Sequence, residues 1–208
     1  MSLINKPFKY RQFNAVFILL ALNMVVFVAQ KIFGRGLSIH LSLVPAFVLQ
    51  GEVWTFITYM FAHGSISHIF FNMLALYVFG TQLEAYMGSV EFLLYYLVTG
   101  VLAGAFSFGA YLFVGGWYYQ LLGASGAIFA IQLAYAVFFP NNVIYFWGIF
   151  PLRAPIVVIL FTAVEVFFSI SGFDTGVAHL THLAGFFFGG LFFALRYRIN
   201  PLRRLFRR

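Results

Sequence analysis

The stretch GASGAIFAIQLAYAVFFPNN, residues 123–142, decides how this chain is read. From Ser125 to Phe139 it is uncharged and apolar, and Pro140 and Asn141 then stop the helix. Fourteen helical steps rise roughly 21 Å, short of the roughly 30 Å hydrocarbon core of a bilayer. A helix of that length anchored at one face starts below the other, so Ser125 is expected several ångströms under the surface. Gly123, Ala124 and Gly126 around it make a poor lipid-facing sequence but leave room for close backbone approach.

The rest of the chain has the composition such a helix requires. Of 208 residues, 63% are hydrophobic and 8% charged, against about a quarter charged in soluble domains. The 30 Phe and 12 Tyr suit lipid-facing and interfacial positions. The absence of cysteine excludes disulfides, thiolate ligands and a Cys nucleophile. The formal charge of +7 does not point to nucleic acid, because of where it sits. Six basic residues, Arg196, Arg198, Arg203, Arg204, Arg207 and Arg208, follow the last apolar segment, and Lys6, Lys9 and Arg11 precede the first. Basic residues flanking spans meet membrane lipids and set orientation.

The expected fold is all-α, a polytopic membrane protein with six transmembrane helices near Phe13–Phe33, His68–Met87, Ser89–Phe113, Ser125–Phe139, Leu152–Ile170 and Gly176–Leu195. The organisation is a short basic N-terminus (1–12), one six-helix domain (13–195) and a basic tail (196–208). The first span is too long, and lacks the small-residue site, for a cleavable signal peptide. With six spans both termini share a side. Arg153 joins the nine flanking charges there, and only Lys31 and Arg35 fall opposite, which puts both termini in the cytoplasm. The segment Gly34–Ser67 lies outside yet carries Trp54, Phe56, Tyr59 and Phe61. Two readings stay open for it: a segment lying in the outer interface, or an external loop packed on itself.

Three polar residues reach one depth. Measured from inner ends, His182 to Arg196 is roughly 21 Å and Asn72 to Met87 roughly 23 Å, matching Ser125. His68 and Asn72 share one helix face, as do His182, Gly185 and Gly189. Any one of these has a plain alternative as an interhelical hydrogen bond. Together, polar groups converging inside a membrane favour function. A serine at a helix start has unsatisfied N–H groups and a positive dipole end beside it, as an oxyanion requires. A histidine in reach can take the hydroxyl proton and return it to a leaving amine. Asn72 and His68 can donate further hydrogen bonds. No acid completes a triad: Glu84 and Glu91 are inner-side, Glu165 is deep in its span, and Asp174 is in a loop. A dyad is therefore expected, with Glu165 as helix-packing glue. His179, three residues before His182, has ligand-like spacing, but no HExxH, thiol or carboxylate accompanies it, so no metal is expected. His179 reads as a polar residue at the mouth, and His40 as an ordinary loop residue.

At these residues the chain resembles the rhomboid family of intramembrane serine proteases over nearly its whole length. The GxSG motif stands as Gly123, Ala124, Ser125 and Gly126; HxxxxHxxxN as His63, His68 and Asn72; AHxxGxxxG as His182, Gly185 and Gly189, with Thr181 in place of Ala. The resemblance implies a six-helix rhomboid-like bundle whose cavity opens outward. It implies a serine endopeptidase that cleaves single-pass transmembrane substrates, with no cofactor. It implies Ser125 and His182 as the dyad, and His68, Asn72 and the Ser125 N–H as the oxyanion site. His63, Gly123, Gly126, Phe129, Gly185 and Gly189 support them, and Glu84 is a structural glutamate. Two departures stand out. The family's Trp-Arg pair is Trp54-Thr55, and Phe129, replacing a tyrosine of some members, can stack on an imidazole but offers no hydroxyl. The expected location is a bacterial cytoplasmic (inner) membrane. Rival readings are a non-catalytic relative that binds membrane clients, and a small transporter, for which no paired broken helices are found. Nothing in the sequence specifies an oligomeric state.

Overall fold

The computed structural model describes residues 6–146, 148–171 and 178–205. Asp174, Gly176, Arg207 and Arg208 lie outside the described residues.

Helix α1 (Ala15–Leu41) begins at Asn14, whose side chain makes no capping bond. Its cap comes from elsewhere in the chain. The buried Glu84 carboxylate accepts from the N–H of Ala15 at 2.6 Å and of Val16 at 2.9 Å, and from the Ser89 hydroxyl. A helix N-terminus has orphan donors and a positive dipole end, so a buried carboxylate and a buried helix start satisfy each other. The helix runs eight residues past the expected end at Phe33, with a kink at Gly34 (φ 71°, ψ −153°). Glycine adopts that conformation without a Cβ clash.

The segment after α1 folds into α2 (Pro45–Leu49) and α3 (Thr55–Thr58). Its residues divide between the two readings. Thr55, Tyr59, Met60 and Ala62 are buried against the bundle, while Leu49, Val53, Trp54 and Ile57 are exposed. The Thr55 hydroxyl donates to the Glu52 carbonyl at 2.6 Å, and the Trp54 indole to the His40 carbonyl at 3.0 Å. His40 itself pairs with Glu52 at 2.7 Å. The pair Trp54-Thr55 thus holds the loop through local bonds.

The second span joins α4 (Ile66–Ala75), a π-helical turn (Leu76–Gly80) and α5 (Thr81–Met87). Gly88 (φ 84°) turns the chain into α6 (Ser89–Phe113). Helix α7 (Ser125–Phe138) follows, then a hairpin of β1 (Val143–Phe146) and β2 (Phe150–Arg153), paired antiparallel with Val143 opposite Arg153. The hairpin is not anticipated from the sequence, because its apolar runs are short and sit between two spans. Helix α8 (Ala154–Ser171) is the fifth span. Helix α9 (His179–Phe192) continues through a second π-helical turn (Phe193–Tyr197) as the sixth, and α10 (Pro201–Leu205) ends the described chain. Among the described residues, five helical segments are long and apolar enough to cross a membrane, and α7 is a shorter apolar helix.

Helix α7 is the hub. Eleven of its 14 residues are buried, and it contacts α4, α5, α6, α8, α9 and α10. Alanine at positions 127, 130, 134 and 136 lets those neighbours come close. At the end away from Ser125, the Arg196 guanidinium pairs with the Glu91 carboxylate, which also accepts from the Phe8 N–H at 3.1 Å. Arg196 is therefore buried in an ion pair, where the sequence suggested a headgroup-facing charge. The start of α6 supplies an acid that the end of the sixth span can reach.

Glu84→Ala orphans the buried Ala15 and Val16 amides and the Ser89 hydroxyl and is expected to cost roughly 2–4 kcal/mol. Unfolding in detergent micelles measures it; unchanged stability would mean those amides find other acceptors.

Candidate active site

The approach to Ser125 is fixed by backbone contacts. Leu43 and Leu121 exchange two N–H···O bonds of 2.9 Å, and the Gly123 N–H donates to the Tyr59 carbonyl at 2.8 Å. The Tyr59 hydroxyl in turn donates to the Gly100 carbonyl on α6 at 2.6 Å. Gly123 has φ 116°, and a Cβ there would lie 2.6 Å from His68 Nε2. Both the turn and the imidazole against it demand glycine. The chain then enters α7 at Ser125, which is half-buried, with first-turn N–H groups free of intrahelical acceptors.

Helix α9 meets α7 backbone to backbone. A Cβ on Gly185 would sit 2.1 Å from the Gly126 carbonyl oxygen, and one on Gly189 would meet the Tyr95 hydroxyl at 2.6 Å and Ala130 at 3.1 Å. Gly126 faces Ala103 and Thr181 as closely. Thr181 carries a bond of its own, 2.6 Å to the Ser107 hydroxyl on α6, which gives the departure from Ala a packing role. One turn before Gly185, His182 is thereby brought over the start of α7. Its Nε2 lies 2.7 Å from Ser125 Oγ. The imidazole stacks on Phe129 with centroids 4.3 Å apart and planes 9° apart. Phe129 lies one turn after Ser125 on α7, so one helix supplies both the hydroxyl and the platform for its partner ring.

Helix α4 brings the remaining polar groups. Ser65 caps it by accepting from the His68 N–H at 3.1 Å. The Asn72 amide donates one N–H to the His68 carbonyl at 2.8 Å, which leaves its second. His63 packs edge-on against His68 at 5.0 Å, and its backbone N–H donates to the Gln30 side-chain oxygen at 2.9 Å. Burial, and then the His68 ring, push the His63 imidazole down to about 4, so it is neutral near pH 7. Its Nδ1–H donates to the Phe61 carbonyl at 3.2 Å. Beside His63 and Gly64 a cavity of about 240 Å³ opens, also lined by Gln30, Lys31, Arg35 and Leu122.

Glu165 joins α8 to α9, the kind of interhelical contact expected of packing glue. Its Oε2 lies 2.6 Å from His179 Nδ1 and its Oε1 3.1 Å from His182 Nδ1. The sequence held the signal: from Leu152, Glu165 is 13 residues along, roughly 20 Å, the depth of the other polar groups. His179, half-buried at the start of α9, reaches across to α8. These three residues also form a His-His-carboxylate cluster whose ligand atoms lie within 4.8 Å. Zinc ligands at 2.0–2.1 Å and tetrahedral angles stand roughly 3.3 Å apart. Glu165 Oε2 and His179 Nδ1 stand closer than that, in hydrogen-bond contact at 2.6 Å.

The arrangement can polarise a hydroxyl: with its proton on Nδ1, His182 can accept from Ser125 Oγ through Nε2, while the helix start and the α4 groups offer N–H donors nearby. The Rhomboid domain family model matches residues 50–199. The chain is 31% identical over 179 residues to the rhomboid protease GluP of Bacillus subtilis, covering 83% of this chain and 33% of that one. To the rhomboid protease GlpG of Haemophilus influenzae it is 33% identical over 100 residues, 48% of this chain and 52% of the other. To the rhomboid protease AarA of Providencia stuartii it is 28% identical over 206 residues, 83% and 69%. The matches thus span about a third and about half of the first two relatives. On the family match across most of its length, the chain belongs to the rhomboid family.

Proposed function

We propose that this chain is an intramembrane serine endopeptidase in which Ser125 is the nucleophile and His182 the general base. The observation that carries this is the 2.7 Å contact between Ser125 Oγ and His182 Nε2, on a ring clamped against Phe129. Names of relatives that include the word protease support the reaction class.

Ser125 Oγ attacks the substrate carbonyl carbon as its proton passes to His182 Nε2. The carbonyl oxygen becomes an oxyanion that accepts from the Ser125 N–H, His68 Nε2–H and the second Asn72 N–H. Collapse breaks the C–N bond, and the amine leaves with the proton from Nε2. Water, deprotonated by the same nitrogen, then hydrolyses the Ser125 ester and restores the hydroxyl. His63 buttresses His68; Gly123, Gly126, Gly185 and Gly189 supply the space.

The catalytic unit is the six-helix region 13–195, held in a bacterial cytoplasmic membrane with both basic ends in the cytoplasm and Ser125 toward the outer face. The client-binding alternative is disfavoured by one observation: nucleophile and base are both present and in contact.

Ser125→Ala should abolish cleavage of a model single-pass substrate while the protein still folds. His182→Ala should lower kcat by about 10⁴-fold or more, the scale for removing a base, and His179→Ala should be milder. A fluorophosphonate probe that labels the Ser125→Ala protein like the parent would refute the assignment.

Substrates are single-pass membrane proteins cut near the outer end of their span. A helix in lipid keeps its carbonyls hydrogen-bonded, so attack needs local unwinding. Gly or Pro in the outer half makes unwinding cheaper by roughly 1–3 kcal/mol each. Replacing those residues with Leu in one substrate should slow cleavage stepwise. An all-Leu span cut as fast as the parent would show that unwinding does not select substrates.

A further inference from the structure

Glu165 is buried in α8, and neither the hydrolytic steps above nor the composition of that helix accounts for it. A carboxylate within an apolar span is costly unless it has partners, and its partners here are both imidazoles of α9. Oε2 takes the Nδ1–H of His179 at 2.6 Å. The His179 ring is also stacked on Phe168 (5.2 Å, 17°), one turn further along α8, so it grips that helix at two points. Oε1 is left facing His182 Nδ1 at 3.1 Å. It lies off the N–H direction, and Nδ1 has no aligned hydrogen-bond partner. The ring itself is fixed by Phe129 on its face and Ser125 on Nε2.

Those constraints leave one question for the base, which nitrogen carries its proton. A neutral imidazole has one N–H, and Nε2 can accept from Ser125 only if that proton is on Nδ1. A carboxylate next to Nδ1 selects this tautomer, because it can only accept. It also stabilises the imidazolium that forms when Nε2 takes the serine proton. Among the described residues, Glu165 is the acid within 4.0 Å of His182. Catalytic hydrogen bonds are often poorly aligned before substrate binds and tighten afterwards.

We propose that Glu165 is a positioning residue for His182, so that the working unit is Ser125–His182–Glu165, with His179 holding the carboxylate in place. The proposal rests on the Ser125–His182 reading. No proton moves to Glu165; it holds the Nδ1–H and faces the positive ring.

Glu165→Gln keeps the shape but can present an N–H to Nδ1, which favours the wrong tautomer. It is expected to lower kcat roughly 10²-fold, the lower range for a positioned base, with KM unchanged. Glu165→Asp, which keeps the charge, should recover part of the rate, and Glu165→Leu none. In protein labelled with ¹⁵N-histidine, the wild-type His182 should carry its proton on Nδ1. In Glu165→Gln the signal should move toward the Nε2–H form. The wild-type spectrum decides the matter even if the variant fails to fold: a His182 protonated on Nε2 at neutral pH overturns the proposal. So does Glu165→Gln turning over at the wild-type rate while Ser125→Ala and His182→Ala are inactive, which leaves the dyad standing. Activity retained by Ser125→Ala would overturn the dyad as well.

Discussion

The backbones of α7 and α9 touch where Gly185 has no side chain and the Gly126 carbonyl fills the space. In a bilayer there is little hydrophobic drive to press two helices together, so contact distance is set by van der Waals packing and by what the side chains allow. Here nothing intervenes, and the helices close to the limit. Everything at the serine follows. His182 is one turn from that contact, Phe129 one turn from Ser125, and the two rings stack because the axes are near enough for them to overlap. Thr181, bonded to Ser107, fixes how α9 is rotated about that contact.

Polar networks gather at two ends of the molecule, with mostly apolar packing and a few buried polar groups such as Asn23, Thr99 and Gln132 between. At one end the carboxylates of Glu84 and Glu91 satisfy the start of α1, Ser89, the Phe8 amide and Arg196. Each charge there is matched by donors, as low dielectric requires, and the knot ties three chain segments into one register. At the other end the polar groups are incompletely matched. His182 Nδ1 is not aligned with an acceptor, and Asn72 and the start of α7 keep N–H groups in reserve. A fully satisfied network holds a fold; a network with spare capacity can receive a substrate.

The spans were legible because their apolar runs meet the length that lipid imposes, and α6 has the bounds that composition suggests. The shortness of α7 was legible from Pro140, and the helix ends at Phe138. Gly185 and Gly189 announced a close approach by their spacing from His182. Less visible were features that depend on neighbours. The continuation of α1 beyond Gly34 rests on contacts with later residues, His40 with Glu52 and the Leu41 carbonyl with the Thr58 hydroxyl. The hairpin Val143–Arg153 has no long pattern to reveal it. Arg196 read as a headgroup contact because a sequence does not display Glu91 across the bundle. Glu165 read as a group bonding between helices, and a sequence does not display that its partners are His179 and His182.

The central claim is that the glycine contact between α7 and α9 sets the distance from Ser125 to His182. Gly190 supplies the control, since a Cβ there meets only Pro201 at 3.5 Å and Leu133 at 3.7 Å, ordinary contacts. The rate of fluorophosphonate labelling of Ser125 should be measured in Gly185→Ala and Gly190→Ala, alongside helix content. Forcing the helices apart by about 1 Å costs roughly 10²-fold where reacting groups must be in register. The account predicts a loss of that size for Gly185→Ala, with helix content intact and Gly190→Ala labelling like the parent. Labelling of Gly185→Ala at the parent rate would contradict it.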